Sequence, residues 1–386
     1  MTPPIHLAFV LGTRPEAIKL APLILAAQSD RRFQITVIST GQHEEMLKPI
    51  LQLFGIRLDH DLKLMRPGQD LANFSSQITA HVTDILKANP PRWTIVQGDT
   101  LTCLSSALAA YLLRLPVAHI EAGLRTHNLN APWPEEFNRR VTTLCSDLHL
   151  APTLESRDNL LRENVDGNSI HITGNTGIDA QLIALDLLHS NPVLQAQVNQ
   201  SLPQFDPQKQ LILLTTHRRE ALGGPLKRIL EAVLAVIDAR PNVEVAIPVH
   251  KNPEVRRTVM QTLGASGKNQ GRIHLLEPLD YLTFLGLMEK CTIILTDSGG
   301  VQEEAPTLRK PVLVLRETTE RDEAVKAGCA KLVGFNPSTI TTTALALLDH
   351  PEKREAMFAK GNPFGDGKAA SRILDIFAQL QMRKTG

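Results

Sequence analysis

The chain has 386 residues, more than the roughly 250–300 at which a single hydrophobic core stops growing, so two or three domains are expected. Its 41 Lys and Arg stand against 40 Asp and Glu, a formal net charge of +1, and aromatics make up 4%; without excess positive charge or base-stacking platforms, nucleic acid is excluded as the main partner. A hydrophobic content of 42% excludes disorder for the bulk of the chain.

From the N-terminus onward, short apolar runs alternate with helical stretches. The first run, Ile5–Leu11, is interrupted by His6 and stops at Gly12-Thr13-Arg14-Pro15. It is too short for the apolar region of a signal peptide or for a bilayer span, so neither export nor a membrane anchor is expected. A helical pattern follows over Glu16–Gln28. Thr13 and Glu16 have capping-box spacing, Pro15 suits the first turn, and Arg14 and Lys19 could meet an anion there. A well-capped helix with two solvated cations accounts for the same residues.

The next runs are Ile35–Thr40, Trp93–Gln97, Val117–Ile120, Leu148–Ala151 and Ile170–Thr173, each with the length of a buried strand. Polar motifs stand where these strands end, which is where open α/β sheets bind ligands. Gln97-Gly98-Asp99-Thr100 follows the third run and His119-Ile120-Glu121-Ala122-Gly123-Leu124-Arg125-Thr126 the fourth; Trp133-Pro134-Glu135-Glu136-Phe137-Asn138-Arg139-Arg140 comes soon after. Neighbouring strand ends would bring Asp99, Glu121 and Glu135 to one ligand, and clustered carboxylates raise one another's pKa, as general acid/base work requires. Asp99 could instead cap the helix from Leu101, and Glu135 could simply start another.

A boundary is expected near Thr173-Gly174-Asn175-Thr176-Gly177, giving one domain over 1–174 and a second over 175–365, with the terminal segment 366–386 and its helix Ala370–Gln381 packing back on the first. Ser190–Gln210, with Pro192, Pro203, Pro207 and many Gln, reads as a surface connection. Beyond it lie the runs Leu211–Thr216, Val243–Val249, Ile273–Leu276, Thr292–Thr296 and Pro311–Leu315, with a helical pattern over Leu226–Ala239. Alternation of this kind specifies parallel sheets covered on both faces: an α/β chain of two doubly wound domains.

In this half Thr215-Thr216-His217-Arg218-Arg219-Glu220 places His217 for a phosphate oxygen, and His250 follows the next strand, although strand-end histidines are more often structural. In Asp297-Ser298-Gly299-Gly300-Val301-Gln302-Glu303-Glu304-Ala305-Pro306, paired glycines let the backbone approach a diphosphate, and a carboxylate one to two turns on can take ribose hydroxyls. Cys103, Cys145, Cys291 and Cys329 are far apart and none forms C-x-x-C, so neither a disulfide framework nor a cysteine zinc site is expected, and a reduced, cytoplasmic setting fits.

Three other signatures fail. His119-x-Glu121 matches the opening of a zinc deaminase motif, but no Pro-Cys-x-x-Cys follows to supply the metal's ligands. Gly365-Asp366-Gly367-Lys368-Ala369-Ala370 fits G-x-G-x-x-A, yet no strand precedes it. There is no Walker lysine motif and no H-E-x-x-H.

Taken in order, Gly12-Thr13-Arg14-Pro15-Glu16, Thr40-Gly41-Gln42-His43, Gln97-Gly98-Asp99-Thr100, His119-Ile120-Glu121-Ala122-Gly123-Leu124-Arg125, Pro134-Glu135-Glu136-Phe137-Asn138-Arg139, Thr216-His217-Arg218, Pro248-Val249-His250-Lys251-Asn252-Pro253, Asp297-Ser298-Gly299-Gly300 and Arg316-Glu317-Thr318-Thr319-Glu320-Arg321 closely resemble the non-hydrolysing UDP-N-acetylglucosamine 2-epimerases. The resemblance runs from the first strand to Gly365-Asp366-Gly367. It implies the GT-B architecture, two Rossmann-like domains facing across a cleft, and usually a homodimer. It also implies reversible conversion of UDP-N-acetylglucosamine to UDP-N-acetylmannosamine by elimination of UDP to 2-acetamidoglucal and its re-addition from the same side, with neither nicotinamide nor any other cofactor and no metal.

By that resemblance the acid/base carboxylates fall on Asp99, Glu121 and Glu135, while Arg14, Lys19 and His217 would stabilise charge on the leaving diphosphate. Ser298, Gly299 and Gly300 would bind phosphate, Glu304 the ribose, Phe284 would lie near the uracil and Arg321 would line the same site. Gln42, His43 and Met46 belong to a motif that, in relatives, forms an activating second site for UDP-N-acetylglucosamine. Departures from the family are Leu279 where Gln is frequent, Asp322 where Pro is common, and Gly68 where some members have a basic residue. Rival readings are a hydrolysing epimerase that releases free N-acetylmannosamine, a GT-B glycosyltransferase, and a catalytically silent nucleotide-sugar binder.

Overall fold

The computed structural model describes residues 3–216, 223–263 and 271–385. The chain forms two compact units, Met1–Ile183 with Phe364–Gly386, and Ala184–Pro363.

The first unit is built on strands β1 (Ile5–Leu11), β2 (Phe33–Ser39), β3 (His60–Asp61), β4 (Trp93–Gln97), β5 (Val117–Ile120), β6 (Leu148–Ala151) and β7 (Ile170–Ile172). Their order is β3-β2-β1-β4-β5-β6-β7, with every pairing parallel. Helices on both faces explain the continuous apolar runs, since strands such as β4 are buried along their whole length. The helices Leu71–Ala88 and Leu101–Leu112 supply Phe74, Ile78, Val82 and Ala107 to a core with Val10, Ile38 and Val96. The helix Arg14–Ser29 buries Ile18, Leu20, Leu23 and Ile24 and packs against the terminal helix Ala369–Thr385. That helix is anchored by Asp179, which accepts from the Ala369 and Ala370 amides at 3.2 and 2.9 Å, and by Phe377, whose ring lies 5.6 Å from that of Trp93.

In the second unit β8 (Gln210–Thr215), β9 (Val243–Pro248), β10 (Ile273–Leu276), β11 (Ile293–Thr296), β12 (Val312–Val314) and β13 (Ala330–Leu332) pair in the parallel order β10-β9-β8-β11-β12-β13. In both sheets the strand order reverses direction once, between β1 and β4 and between β8 and β11. Those switch points open at the carboxyl ends of the strands, where this topology binds ligands.

Eleven strands lie within about two residues of the expected apolar runs. Two were not expected: β3, whose two residues are exposed, and β13, where Lys331 and Leu332 are exposed. The expected surface connection Ser190–Gln210 contains a helix, Pro192–Ser201. Asn191 starts it by accepting from the Val193 and Leu194 amides, and its one buried residue, Val198, sits where a side chain at Gly286 would come within 2.8 Å. A Gln-rich helix that buries one side chain leaves almost no periodicity to detect. Among the described residues, no helix is long and apolar enough to cross a membrane.

Candidate active site

The first helix begins as its sequence predicts. The Thr13 side chain accepts from the Glu16 amide at 3.4 Å, and the Glu16 carboxylate returns to the Thr13 amide at 2.8 Å. Glu16 does more than close this box. Its Oε2 also accepts from the Gly12 amide at 3.0 Å and the Thr13 hydroxyl at 2.8 Å, and its Oε1 accepts from the Thr100 hydroxyl at 2.6 Å. A buried carboxyl therefore joins the turn after β1 to the turn after β4. Gly12 is tightly enclosed at this junction: a Cβ there would stand 2.2 Å from Oγ1 of Thr40, which follows β2, and 2.4 Å from Oγ1 of Thr102, in the helix after β4.

Thr100 caps the helix Leu101–Leu112, accepting from the Cys103 amide at 2.9 Å, so Asp99 is not the cap. The Asp99 carboxylate instead accepts from Arg139, and its backbone carbonyl accepts from Asn138 Nδ2 at 2.9 Å. Both partners lie on the helix Glu135–Cys145, where Arg139 also meets the fully buried Glu136 at 3.5 Å. Glu121 follows β5 at a φ of 66°, unusual for a non-glycine residue, and pairs with Lys19 at 2.6 Å while accepting from Gln97 Nε2. Glu135 is the first residue of its helix, and its Oε2 is buried with no hydrogen-bond partner among the described residues. Arg14, the first residue of its own helix, is exposed.

Sequence reading missed the members that hold these groups. Glu16 was read only as half of a capping box, and Gln97, Thr100, Asn138 and Arg139 only as parts of motifs. Arg139 is forty residues from Asp99, so only the adjacency of β4 and β5 brings them together.

Burial pushes the Glu16 carboxyl up to about 7, against the lowering effect of its hydrogen bonds from Thr100, Thr13 and Gly12. His119 goes the other way, down to about 3, because it is fully buried; its Nε2 contacts the Gly98 carbonyl at 2.7 Å. His149 is lowered to about 4 by burial and then by Arg125.

These shifts set opposite slopes of stability with pH. Between the unfolded pKa of 4.5 and the folded value of about 7, the folded state holds the Glu16 proton and the unfolded state does not, so stability falls as pH rises through that window. The fall is roughly 3 kcal/mol. The two histidines are neutral when folded but charge below 6.5 when unfolded, so their contribution is lost as pH falls towards about 4 and below. Between pH 4.5 and 6.5 the two histidines outweigh the single carboxyl, so urea midpoints should rise with pH and level off near pH 7. Glu16→Gln removes the opposing fall and should rise more steeply than the wild type between pH 4.5 and 7; parallel curves for the two proteins would contradict this.

In the second unit Ser298 precedes the short helix Gly299–Glu304, and its amide donates to Thr296 Oγ1 at 2.9 Å. A Cβ at Gly300 would meet nothing within 4 Å, whereas one at Gly299 would lie 3.4 Å from the Arg321 guanidinium. Arg321 is fixed by Glu303 at 2.6 Å, and Thr319 ties the same loop to Gln302 at 2.7 Å. Asp322 opens the helix Asp322–Ala327, where a carboxylate complements the helix dipole. Glu304 ends the short helix, and Phe284 is half-buried in the first turn of Tyr281–Lys290. His217 lies outside the described residues.

Gln42 Oε1 accepts from Thr102 Oγ1 at 2.9 Å, His43 starts the helix Glu44–Leu53, and Met46 is exposed. Among the described residues there is no cluster of three or more His, Cys, Asp or Glu able to hold a metal ion.

Comparison with known proteins follows the same two sheets. Residues 25–378 match the family model described as UDP-N-acetylglucosamine 2-epimerase. The chain is 49% identical over 364 residues to a probable UDP-N-acetylglucosamine 2-epimerase of Ralstonia solanacearum, covering 94% of this chain and 96% of that one. It is 46% identical over 366 residues to the UDP-N-acetylglucosamine 2-epimerase of Escherichia coli K12, covering 95% and 96%. The crystal structure of the Neisseria meningitidis enzyme bound to UDP-GlcNAc superposes with a TM-score of 0.88 at 43% identity, over 97% of this chain and all of that one. The Methanocaldococcus jannaschii enzyme in complex with UDP-GlcNAc and UDP superposes at 0.79 and 34% identity, over 97% of this chain and 100% of that one.

Proposed function

This chain belongs to the UDP-N-acetylglucosamine 2-epimerase family and has its GT-B fold, and from that premise we propose that it acts without net hydrolysis, interconverting UDP-N-acetylglucosamine and UDP-N-acetylmannosamine. The hydrogen at carbon 2 is not next to a carbonyl and is weakly acidic, so its removal is coupled to departure of the nucleotide. A carboxylate takes the proton, the C2–H electrons form the C1–C2 double bond of 2-acetamidoglucal, and the C1–O pair leaves with UDP. In the return step a carboxyl delivers a proton to the opposite face of carbon 2 and the UDP oxygen re-adds to carbon 1. No cofactor or metal is required.

Asp99, Glu121 and Glu135 are the acid/base groups, and Arg14, Lys19 and His217 balance charge on the departing diphosphate. Ser298, Gly299 and Gly300 bind phosphate, Glu304 takes the ribose, Phe284 the uracil, and Arg321 lines the same site. Gln42, His43 and Met46 form an activating second site. The observation that carries the reading is that Lys19–Glu121 and Asp99–Arg139 pair where β5 and β4 end, next to the switch point of the first sheet, while Glu135 Oε2, on the helix that carries Arg139, is buried with no hydrogen-bond partner among the described residues. The open space beside Gly300 supports the phosphate role, because no described residue packs closely enough to require a glycine there.

Chromatography of a reaction started with UDP-N-acetylglucosamine tests the absence of hydrolysis. All sugar should stay nucleotide-bound, in an equilibrium mixture of the two epimers. Stoichiometric free N-acetylmannosamine and UDP would establish the hydrolysing reaction instead.

A homodimer is part of the same reading. The helices Leu101–Leu112 and Glu135–Cys145 pack together, follow parallel strands, and so end at the same sheet edge. There Tyr111, Leu112 and Leu144 are 57, 64 and 80% exposed. An apolar patch of this kind is best explained by a partner surface. Light scattering should give twice 42.5 kDa for the wild type and a monomer for Leu112→Arg/Leu144→Arg; a double variant that stays dimeric would rule out this face. Four buried thiols suit a reducing, cytoplasmic setting.

A further inference from the structure

The acid/base groups named above hang from separate strand ends, and their relative placement depends on what ties those ends together. Between β1 and β4 that tie is Glu16. Its side chain is fully buried, and among the described residues no cation meets it in a hydrogen bond or ion pair and every hydrogen bond its carboxylate makes is to one of the two turns. Oε2 gathers the Gly12 amide, the Thr13 amide and the Thr13 hydroxyl; Oε1 takes the Thr100 hydroxyl at 2.6 Å across 84 residues of sequence. Arg14 follows the first turn directly, and Asp99 directly precedes Thr100.

A capping box needs only the Thr13 contacts. Isolated carboxylates resist full burial, and a helix start on the surface would be capped as well by an exposed side chain. The extra span to Thr100 is what the burial secures.

We propose that Glu16 is a positioning residue for the epimerisation: a buried strut, with Thr100 as its far anchor, that fixes the Asp99 turn against the turn carrying Arg14 and, through the helix it begins, Lys19. The proposal rests on the reading of Asp99 as an acid/base group. A displacement of about 1 Å at such a group costs on the order of 100-fold in rate, while nucleotide binding through remote contacts is spared. The strut should therefore act on kcat more than on KM.

The chemistry of the strut selects the variants. In Glu16→Gln the amide oxygen can keep the three Oε2 donors while the amide nitrogen donates to Thr100 Oγ1, so every tie survives. Because the native carboxyl keeps its proton to about pH 7, Gln is a close mimic of it. Glu16→Ala removes both ends of the strut. Thr100→Ser keeps the anchoring hydroxyl and the helix cap, and Thr100→Val removes both.

Each variant is assayed with UDP-N-acetylglucosamine for kcat and KM, with the folded fraction fixed by UDP titration calorimetry. Glu16→Ala and Thr100→Val are expected to lose about 100-fold in kcat with UDP affinity within about threefold of wild type, and Glu16→Gln and Thr100→Ser to stay within about fivefold in kcat. If Glu16→Ala does not fold, the Thr100 pair decides. The proposal is overturned if Thr100→Val keeps wild-type kcat, if the losses match a fall in UDP-binding fraction, or if Glu16→Gln is as impaired as Glu16→Ala. A wild type that binds UDP but never epimerises would sink the functional reading and the strut with it, whereas an active wild type with unaffected variants would sink the strut alone.

Discussion

Replacing Asp99 by Asn is expected to lower turnover about 100-fold or more while changing UDP affinity by less than about threefold. The substitution keeps the shape of the side chain, and its amide oxygen can still accept from Arg139. The helix cap is untouched, because Thr100 supplies it. The Asn138 contact is also untouched, because it is made to the backbone carbonyl of residue 99. What disappears is the ability to take and give a proton, so a loss of rate in a protein of unchanged stability isolates that role. Steady-state kinetics beside urea unfolding make the comparison. Near-normal turnover would reduce Asp99 to an ion-pair partner of Arg139.

The largest effect on stability is expected at Gly123. Its φ of +93° disfavours any side chain, and an added Cβ would stand 2.1 Å from the Ser156 carbonyl oxygen and 2.7 Å from its carbon. The obstacle is backbone in the first turn of the helix Leu154–Arg162, which Thr153 caps, and Asn159 clamps the Gly123 carbonyl from the same helix at 3.0 Å. Neither segment can yield without breaking buried hydrogen bonds. Gly123→Ala is expected to cost more than about 3 kcal/mol and, two residues from Glu121, to loosen the Lys19 pair as well. Gly300→Ala is the contrast: with open space around it, stability should hold within about 1 kcal/mol while UDP affinity drops, since the methyl group occupies the approach to the phosphate. Urea midpoints and UDP titrations of the two variants read both effects. A Gly123→Ala protein of normal stability would mean that the turn after β5 is not held against this helix.

The two sheets were legible because parallel strands covered on both faces must be apolar along their length, and runs such as Val117–Ile120 and Ile293–Thr296 carry that mark undiluted. His60–Asp61 carries no such mark: it pairs only at the exposed sheet edge. Asp99 and Glu121 stood out as candidates for a related reason, since polar side chains at the ends of buried strands have few structural duties there. Their partners did not. Lys19 meets Glu121 across 102 residues and Thr100 meets Glu16 across 84, distances that only the order β1-β4-β5 closes. Glu16 shows the limit most clearly, because its spacing from Thr13 already explained it as a cap, and nothing local shows that the same carboxyl reaches a second turn.

In the proposed reaction the hydrogen at carbon 2 leaves and a proton returns while UDP is held. NMR of the wild-type protein with UDP-N-acetylglucosamine in deuterated water tests it most directly. The carbon-2 proton signal should be lost in both epimers and the UDP-N-acetylmannosamine anomeric signal should grow, with no free sugar. Epimerisation with the original hydrogen retained at carbon 2, or no exchange at all in protein that binds UDP, would contradict it.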